Sequence, residues 1–207
     1  MDTCISRPQR KSSIRVTAGG VPVNTAELRE YLKAYEEDDV LIARLARRAT
    51  AFCQRWQGRQ YLKAQFIDRF DAFPSGCEPI ELRWSPGYIA VNENWTIAYT
   101  DTNGNAIDLS AGDGDFSYDQ YSVRPKVFPN YGEVWPVARC FPNSVSVTYL
   151  AGVGTEDLVD DDAKQAIWML ACHWFRNREA VLTGSISKEV EYSLKDLLGP
   201  RRIVPVG

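Results

Sequence analysis

The spacing of apolar residues changes twice along the chain, and this double change most limits the possible folds. Residues 37–57 and 161–180 carry apolar side chains at helical spacing, whereas residues 60–154 carry short runs of β-branched and aromatic residues between turn-forming residues. Helical segments on both sides of a β-rich stretch predict one shared helical core. We therefore predict an α+β fold, a helical bundle with an antiparallel β insertion between the second and third helices.

Four helices are predicted, near residues 25–34, 37–57, 161–180 and 189–198. Thr25 is the predicted N-cap of the first helix, and Gly199-Pro200 ends the fourth. The core-facing stripe of the second helix is predicted to comprise Leu41, Leu45, Ala49, Phe52 and Trp56, widened by Ile42, Ala46 and Cys53. That of the third comprises Ala163, Ile167, Leu170, Ala171 and Trp174.

The same patterns divide the chain into segments. Residues 1–24 include an Arg-, Lys-, Ser- and Gly-containing stretch without periodicity and are expected to be a flexible N-terminal arm. The helical core is expected at 25–59 and 155–200, the β insertion at 60–154 and a C-terminal tail at 201–207. Strands within the insertion are predicted at Gln65–Phe70, Ile80–Trp84, Thr96–Tyr99, Tyr121–Val123 and Ser144–Leu150.

Composition narrows the function classes. The 44% hydrophobic content predicts a folded chain, and a net charge of −3 argues against a protein that coats nucleic acid generally. The sequence contains no apolar run long enough for a membrane span, and residues 1–20 lack the apolar region of a secretory signal. Five cysteines, without a C-x-x-C pair, predict reduced thiols, with neither a disulfide framework nor a zinc site.

No catalytic, cofactor-binding or metal-binding residues are predicted. His173 is the only histidine, and it lies between Cys172 and Trp174 in an apolar helix, which favours a core or interface role. Asp160, Asp161 and Asp162 suit the exposed N–H groups of a helix start better than a metal ion. The Asp101–Asn105 loop lacks the later ligands of a calcium loop and is predicted to be a hairpin turn.

The second helix also carries a row of basic side chains, Arg44, Arg47, Arg48 and Arg55, beside its apolar stripe. One interpretation is a solvated face paired with carboxylates. The other is contact with channel DNA or with an acidic neighbouring subunit. The sequence leaves these alternatives open.

The segment 166–181, AIWMLACHWFRNREAV, resembles the head–tail connector family of tailed phages and prophages, in particular a subgroup with an HWyenREA-type signature. The motif residues are His173, Trp174, Arg176, Arg178 and Glu179. Further matching segments follow in the same order, and the resemblance covers roughly residues 25–202. One departure is that Asp160–Ala163 stands where the family usually has a proline.

The resemblance implies a structural virion protein of the neck, a head–tail adaptor without cofactor. It would form a ring, usually of twelve copies, between the portal and the next stopper or tail component, around the DNA exit channel. The alternatives are another neck or tail component, such as a tail terminator, and a carboxylate-dependent hydrolase.

Two site hypotheses concern particular residues. The tail residues Arg201, Arg202, Ile203, Val204 and Val206 are expected to dock on the portal, because they are basic and then apolar and lie outside any predicted helix. Arg176 and Arg178 are expected to hold the bundle through ion pairs with Glu179 or with the early acidic cluster.

Overall fold

The computed structural model describes residues 10–17, 20–85, 95–119, 121–177 and 188–203. The chain divides into two compact units. The first, called the β unit, comprises the described residues of Met1–Ala18 and Lys63–Val153. The second, called the helical unit, comprises those of Gly19–Leu62 and Gly154–Gly207. Helices and antiparallel sheets are both present, so the predicted α+β class is confirmed.

Four α-helices lie in the described part of the helical unit. They are α1 (Thr25–Leu32), α2 (Asp39–Gln57), α3 (Asp161–Arg176) and α4 (Lys188–Leu198). Short 3-10 helices precede α2 and α3 and follow α4, at Glu36–Asp38, Glu156–Leu158 and Gly199–Arg201. The predicted continuation of the third helix to residue 180 lies partly outside the described residues.

Local chemistry sets the ends of these helices. The Asn24 side chain accepts a hydrogen bond from the Ala26 N–H at 2.9 Å, so the N-cap of α1 is Asn24. The predicted cap, Thr25, is wrong by one residue, because it is already the first helical residue. Gly58 ends α2 with a φ of 70°, a conformation that glycine adopts without steric cost.

The helical unit buries the apolar faces of its helices against one another. In α3, all five residues of the predicted stripe are buried. In α2 the buried face is rotated about the helix axis relative to the predicted face. Leu41, Phe52 and Trp56 of the predicted stripe are only half-buried. Its centre is instead formed by Ile42, Leu45, Ala46, Ala49, Thr50, Cys53, Gln54 and Gln57. Burial raises the pKa of the Cys53 thiol to about 12, which makes it an inert core residue.

Eight strands form two antiparallel sheets in the β unit. In chain order they are β1 (Arg10–Arg15), β2 (Ala64–Phe70), β3 (Ile80–Glu81), β4 (Thr96–Thr100), β5 (Ala106–Ser110), β6 (Ser117–Asp119), β7 (Lys126–Phe128) and β8 (Val145–Ala151). One sheet has the order β1-β2-β8-β4-β5 and the other β3-β7-β6. The predicted strand Tyr121–Val123 is wrong: it is a bend with exposed side chains, and the pairing begins at Lys126.

Alternate residues of the long strands point into one hydrophobic core. In β8 the odd-numbered residues from Val145 to Ala151 are buried, as the alternation of apolar and polar residues predicts. The β3-β7-β6 sheet contributes Ile80 and Val127 to the same core. Aromatic rings pack closely there: Phe66 stacks on Trp84 at 5.2 Å between ring centroids, within the range of favourable ring pairs.

Within the predicted flexible arm of residues 1–24, strand β1 shows that Arg10–Arg15 are ordered in a sheet. It pairs with β2, with Ile14 opposite Ile67. The sequence did not reveal this strand because polar side chains form most of it. One of its side-chain contacts is an ion pair: Arg10 Nε lies 3.0 Å from Oδ2 of Asp68, whose side chain is fully buried.

Asp68 is the central polar group of the β unit. The Arg83 N–H and the Tyr149 hydroxyl both donate to its Oδ2, at 2.8 and 3.3 Å. Burial raises the pKa of the Asp68 carboxyl, although the Arg10 guanidinium acts in the opposite direction. Asp68 therefore links the edge strand β1 to the sheet through its ion pair with Arg10, while Arg83 and Tyr149 fix its position by hydrogen bonds.

Candidate functional site

Arginine side chains cover the outer side of α2, opposite its buried face. Arg44, Arg47, Arg48 and Arg55 are all exposed. The guanidinium of Arg48 lies 4.7 Å from the ring centroid of Trp174, and Arg55 Nε donates to the Ala51 carbonyl of its own helix at 3.3 Å. Arg44 and Arg47 form no ion pair with any residue that the structure describes. We call Val40, Arg44, Arg47, Arg48 and Arg55 the arginine face.

The segment after α4 folds back on the C-terminal end of α2. Arg201 forms an ion pair with Asp160, and the guanidinium of Arg202 lies 4.7 Å from the ring centroid of Trp56. The Ile203 N–H donates to the Gln57 carbonyl at 2.8 Å. Three of the five residues expected to dock on a portal therefore have partners within this chain. The other two, Val204 and Val206, lie outside the described residues.

A buried glutamine links the same three elements. Gln57 Nε2 donates to the Leu198 carbonyl at 3.0 Å, and Gln57 Oε1 accepts from the Tyr61 hydroxyl at 2.8 Å. Burial raises the pKa of the Tyr61 phenol, so it remains a donor. A Cβ added to Gly58 would lie 3.0 Å from the Ile203 carbonyl oxygen. The glycine therefore permits both the helix end and the close approach of the final segment.

The residues of the family motif lie at the end of α3. Trp174 is buried, and its ring meets Phe52 edge-on at 6.4 Å between centroids. His173 is half-buried, and Asn177 Nδ2 donates to its carbonyl at 3.0 Å. Arg176 is exposed and has no ion pair within the described part of the chain. Arg178 and Glu179 lie outside the described residues.

A groove that the sequence did not reveal lies in the helical unit, between the start of α1 and the start of α3. Its volume is about 430 Å³. Pro22, Val23 and Trp168 supply apolar surface, and the remaining lining residues are Asn24, Glu27, Glu156, Asp157, Asp161, Lys164 and Gln165. We call it the acidic groove, since four of these side chains are carboxylates. Sequence alone shows the acidic run near residue 160 but not its convergence with α1.

An aromatic pair stands beside the acidic groove. The Tyr31 and Trp168 rings lie 5.5 Å apart between centroids, and Tyr31 is 60% exposed. Leu158, which follows two groove carboxylates in the 3-10 helix, is 64% exposed. Large exposed apolar side chains beside charged groups are typical of protein–protein contact surfaces.

Three of the carboxylates considered as metal ligands, Asp101, Asp160 and Asp161, have other partners. Asp161 lies 3.6 Å from Lys164, and Asp160 pairs with Arg201. Asp101 Oδ1 accepts from the N–H groups of Asn103 and Asn105, both at 2.8 Å, within the β4–β5 hairpin that the sequence predicted. Among the described residues, no group of three or more His, Cys, Asp or Glu side chains is placed to hold a metal ion. No helix of this part of the chain has the length and apolarity needed to cross a membrane.

Comparison with known proteins gives fold similarity without close sequence relatives. No protein-family model and no curated protein matches the chain. Among solved structures, a chain from the neck of an empty gene transfer agent particle, computed with C6 symmetry, matches with a TM-score of 0.71 and 18% identity. The match covers 94% of this chain and 97% of that chain.

Two further structures come from native gene transfer agent particles. A chain of the virion matches with a TM-score of 0.72 and 20% identity over 94% of this chain and 96% of that chain. A chain of the neck computed with C12 symmetry matches with a TM-score of 0.68 and 18% identity over 94% and 97%. At these identities the similarity shows the fold: the chain has, over nearly its whole length, the fold of chains found in those particles.

Proposed function

We propose that this protein is a structural component of the virion neck, a head–tail adaptor that forms a ring and has no catalytic role. The observation that carries the proposal is the fold similarity over 94% of the chain to proteins of gene transfer agent necks. Both units take part in that similarity, so it is not a match to a common motif alone. The HWFRNREAV segment, which resembles phage connectors of the HWyenREA-type subgroup, supports the same function independently of the fold similarity.

In the proposed ring, copies of the chain surround the DNA exit channel and join the portal to the next stopper or tail component. The two similar necks were computed with C6 and C12 symmetry, and a ring of twelve chains satisfies both. A dodecamer is therefore the proposed assembly. The alternative function, another neck or tail component such as a tail terminator, predicts a different neighbour in the particle.

Co-purification separates these functions. The chain would be expressed with its cognate portal and, separately, with the tail-tube protein, and each complex examined by electron microscopy. The adaptor function predicts a ring of this chain on the portal. A ring found only on the tail tube would indicate a tail terminator instead of an adaptor. Failure to associate with either the portal or the tail-tube protein would overturn the neck assignment.

For the tail, we propose that Ile203, Val204 and Val206 make the portal contact, while Arg201 and Arg202 fix the segment to α2. The contacts of Arg201 with Asp160 and of Arg202 with Trp56 support this division. Deleting residues 204–207 is expected to abolish portal binding and leave thermal stability unchanged. Arg201→Ala is the matched control, which should lower stability slightly and retain binding. Unchanged portal binding after the deletion would refute the docking role.

The proposed ion pairs of Arg176 and Arg178 are tested in the same assays. Arg176→Ala and Arg178→Ala are expected to lower the melting temperature or reduce ring formation. If both variants keep wild-type stability and assemble normally, these arginines do not hold the bundle.

A further inference from the structure

The proposed ring, on which this inference rests, requires two different contact surfaces on one chain. In a closed ring larger than a dimer, each subunit meets its neighbours through non-identical patches. The surfaces must complement each other and remain unfilled within a single chain. Two surfaces of the helical unit have both properties.

The acidic groove is the first surface. Glu156 and Asp157 are exposed in the 3-10 helix before α3, and Glu27 is exposed on α1. No described ion pair neutralises these three carboxylates within the chain. Exposed apolar side chains, Tyr31 and Leu158, lie beside them. The groove therefore offers negative charge and apolar area to an occupant that is cationic and partly apolar.

The arginine face is the second surface, and it has the opposite charge. Val40, Arg44 and Arg47 follow one another at spacings of four and three residues, which places them on one side of α2. Val40 is 64% exposed. None of the described ion pairs joins Arg44 or Arg47 to a carboxylate of the groove in the same chain. The guanidinium groups of Arg44 and Arg47 can thus meet the groove of a second copy.

We infer that the arginine face of α2 in one copy docks into the acidic groove of the adjacent copy, and that this contact closes the ring. Arg44 and Arg47 would face Glu27, Glu156 and Asp157, while Val40 would cover apolar surface near Trp168. Channel DNA would also attract the arginines. The observations favour a second copy, because the same chain carries a matching acidic groove and has a net charge of −3.

Charge reversal on each surface tests the inference. Arg44→Glu with Arg47→Glu and, separately, Glu156→Arg with Asp157→Arg each place like charges at the contact, and each pair should weaken ring formation at least about tenfold. Assembly would be measured by native mass spectrometry on the full chain, alone and with the portal. Asp113→Arg with Glu133→Arg makes the same charge change as the Glu156→Arg, Asp157→Arg pair, but at exposed sites of the β unit, and should leave assembly unchanged.

Mixing the two reversed variants gives the decisive result. The Arg44→Glu, Arg47→Glu chain keeps an acidic groove, and the Glu156→Arg, Asp157→Arg chain keeps a basic helix face. Every contact is then complementary only if the two chains alternate around the ring. We expect equimolar mixtures to recover rings that contain both variants in a 1:1 ratio.

Other outcomes overturn the inference, and they can be distinguished from a failure of the proposed function. If reversed variants assemble like wild type, or lose assembly that mixing does not restore, the surfaces do not pair. If Arg44→Glu with Arg47→Glu forms normal rings but binds short duplex DNA more weakly, the arginine face serves DNA. If the wild-type chain forms no ring, alone or with the portal, the proposed function fails first.

Discussion

The two units use charge in opposite ways. In the β unit, Arg10 and Asp68 meet inside the structure, and the carboxylate is fully buried among further donors. In the helical unit, Arg44 and Arg47 stand exposed on α2 without a described ionic partner. Removing one member of a buried charge pair is costly because the other charge is left buried and unpaired, whereas an exposed unpaired charge contributes little to folding. In the proposed assembly, the same side-chain types therefore serve stability in the β unit and subunit contact in the helical unit.

Removing the buried carboxylate of Asp68 should cause the largest loss of unfolding free energy. Asp68→Ala leaves the Arg10 guanidinium without its partner and weakens the attachment of β1, at an expected cost of about 3–5 kcal/mol. Urea denaturation followed by circular dichroism measures the loss. The double variant Arg10→Ala, Asp68→Ala should lose less than the sum of the two single changes. Additive losses would show that the pair acts as two independent residues.

The second largest loss of stability is expected from replacing the buried glutamine of the helical unit. Gln57→Leu removes the donor to the Leu198 carbonyl and the acceptor of the Tyr61 hydroxyl, at an expected cost of about 1–3 kcal/mol in unfolding free energy. Tyr61→Phe removes only the second bond and should cost about 1 kcal/mol. Equal stability of the two variants would mean that the link to the final segment contributes nothing.

Two glycines with similar backbone conformations allow the cost of backbone strain to be measured separately from the cost of a steric contact. Gly58 and Gly76 have φ values of 70° and 61°. A methyl group at Gly58 meets the Ile203 carbonyl, but one at Gly76 meets nothing within 4 Å. We expect Gly76→Ala to cost about 1 kcal/mol and Gly58→Ala about 2 kcal/mol, measured by thermal denaturation. Equal costs would show that the final segment moves aside freely.

Changes to the arginine face should have the smallest effect on stability. Arg44→Ala and Arg47→Ala are expected to change the unfolding free energy by less than about 0.5 kcal/mol, since neither side chain has a described ionic partner to lose. Denaturation of both variants measures this. A loss comparable to that of Asp68→Ala would erase the contrast between the two units.

Sequence patterns predicted the elements whose side chains follow a period. The stripe from Ala163 to Trp174 and the alternation along β8 gave the correct elements, because burial on one face selects apolar residues at regular spacing. The same argument misplaced the centre of the α2 face, where apolar residues occur on more than one side. There, packing against neighbouring helices decides which line of residues is buried.

Features that depend on distant residues were not predictable in this way. Strand β1 is held by Asp68, a residue far along the chain, and its polar sequence shows no β pattern of its own. The acidic groove likewise joins Glu27 to Glu156 and Asp157, which only the fold brings together. The arginine face was visible as a charged row, but a sequence cannot show that Arg44 and Arg47 form no ion pair with the described residues.

The return of the final segment to α2 also sets an order for folding during synthesis. All strands of the β unit have emerged once Ala151 leaves the ribosome, before α3 has emerged. The end of α2 has by then emerged. Gln57, however, receives its contacts from Leu198 and Ile203 only after a further 52 residues (203 − 151) have emerged. The β unit therefore has all its strands before the helical unit can close. A nascent chain stopped before residue 198 would expose the unsatisfied end of α2.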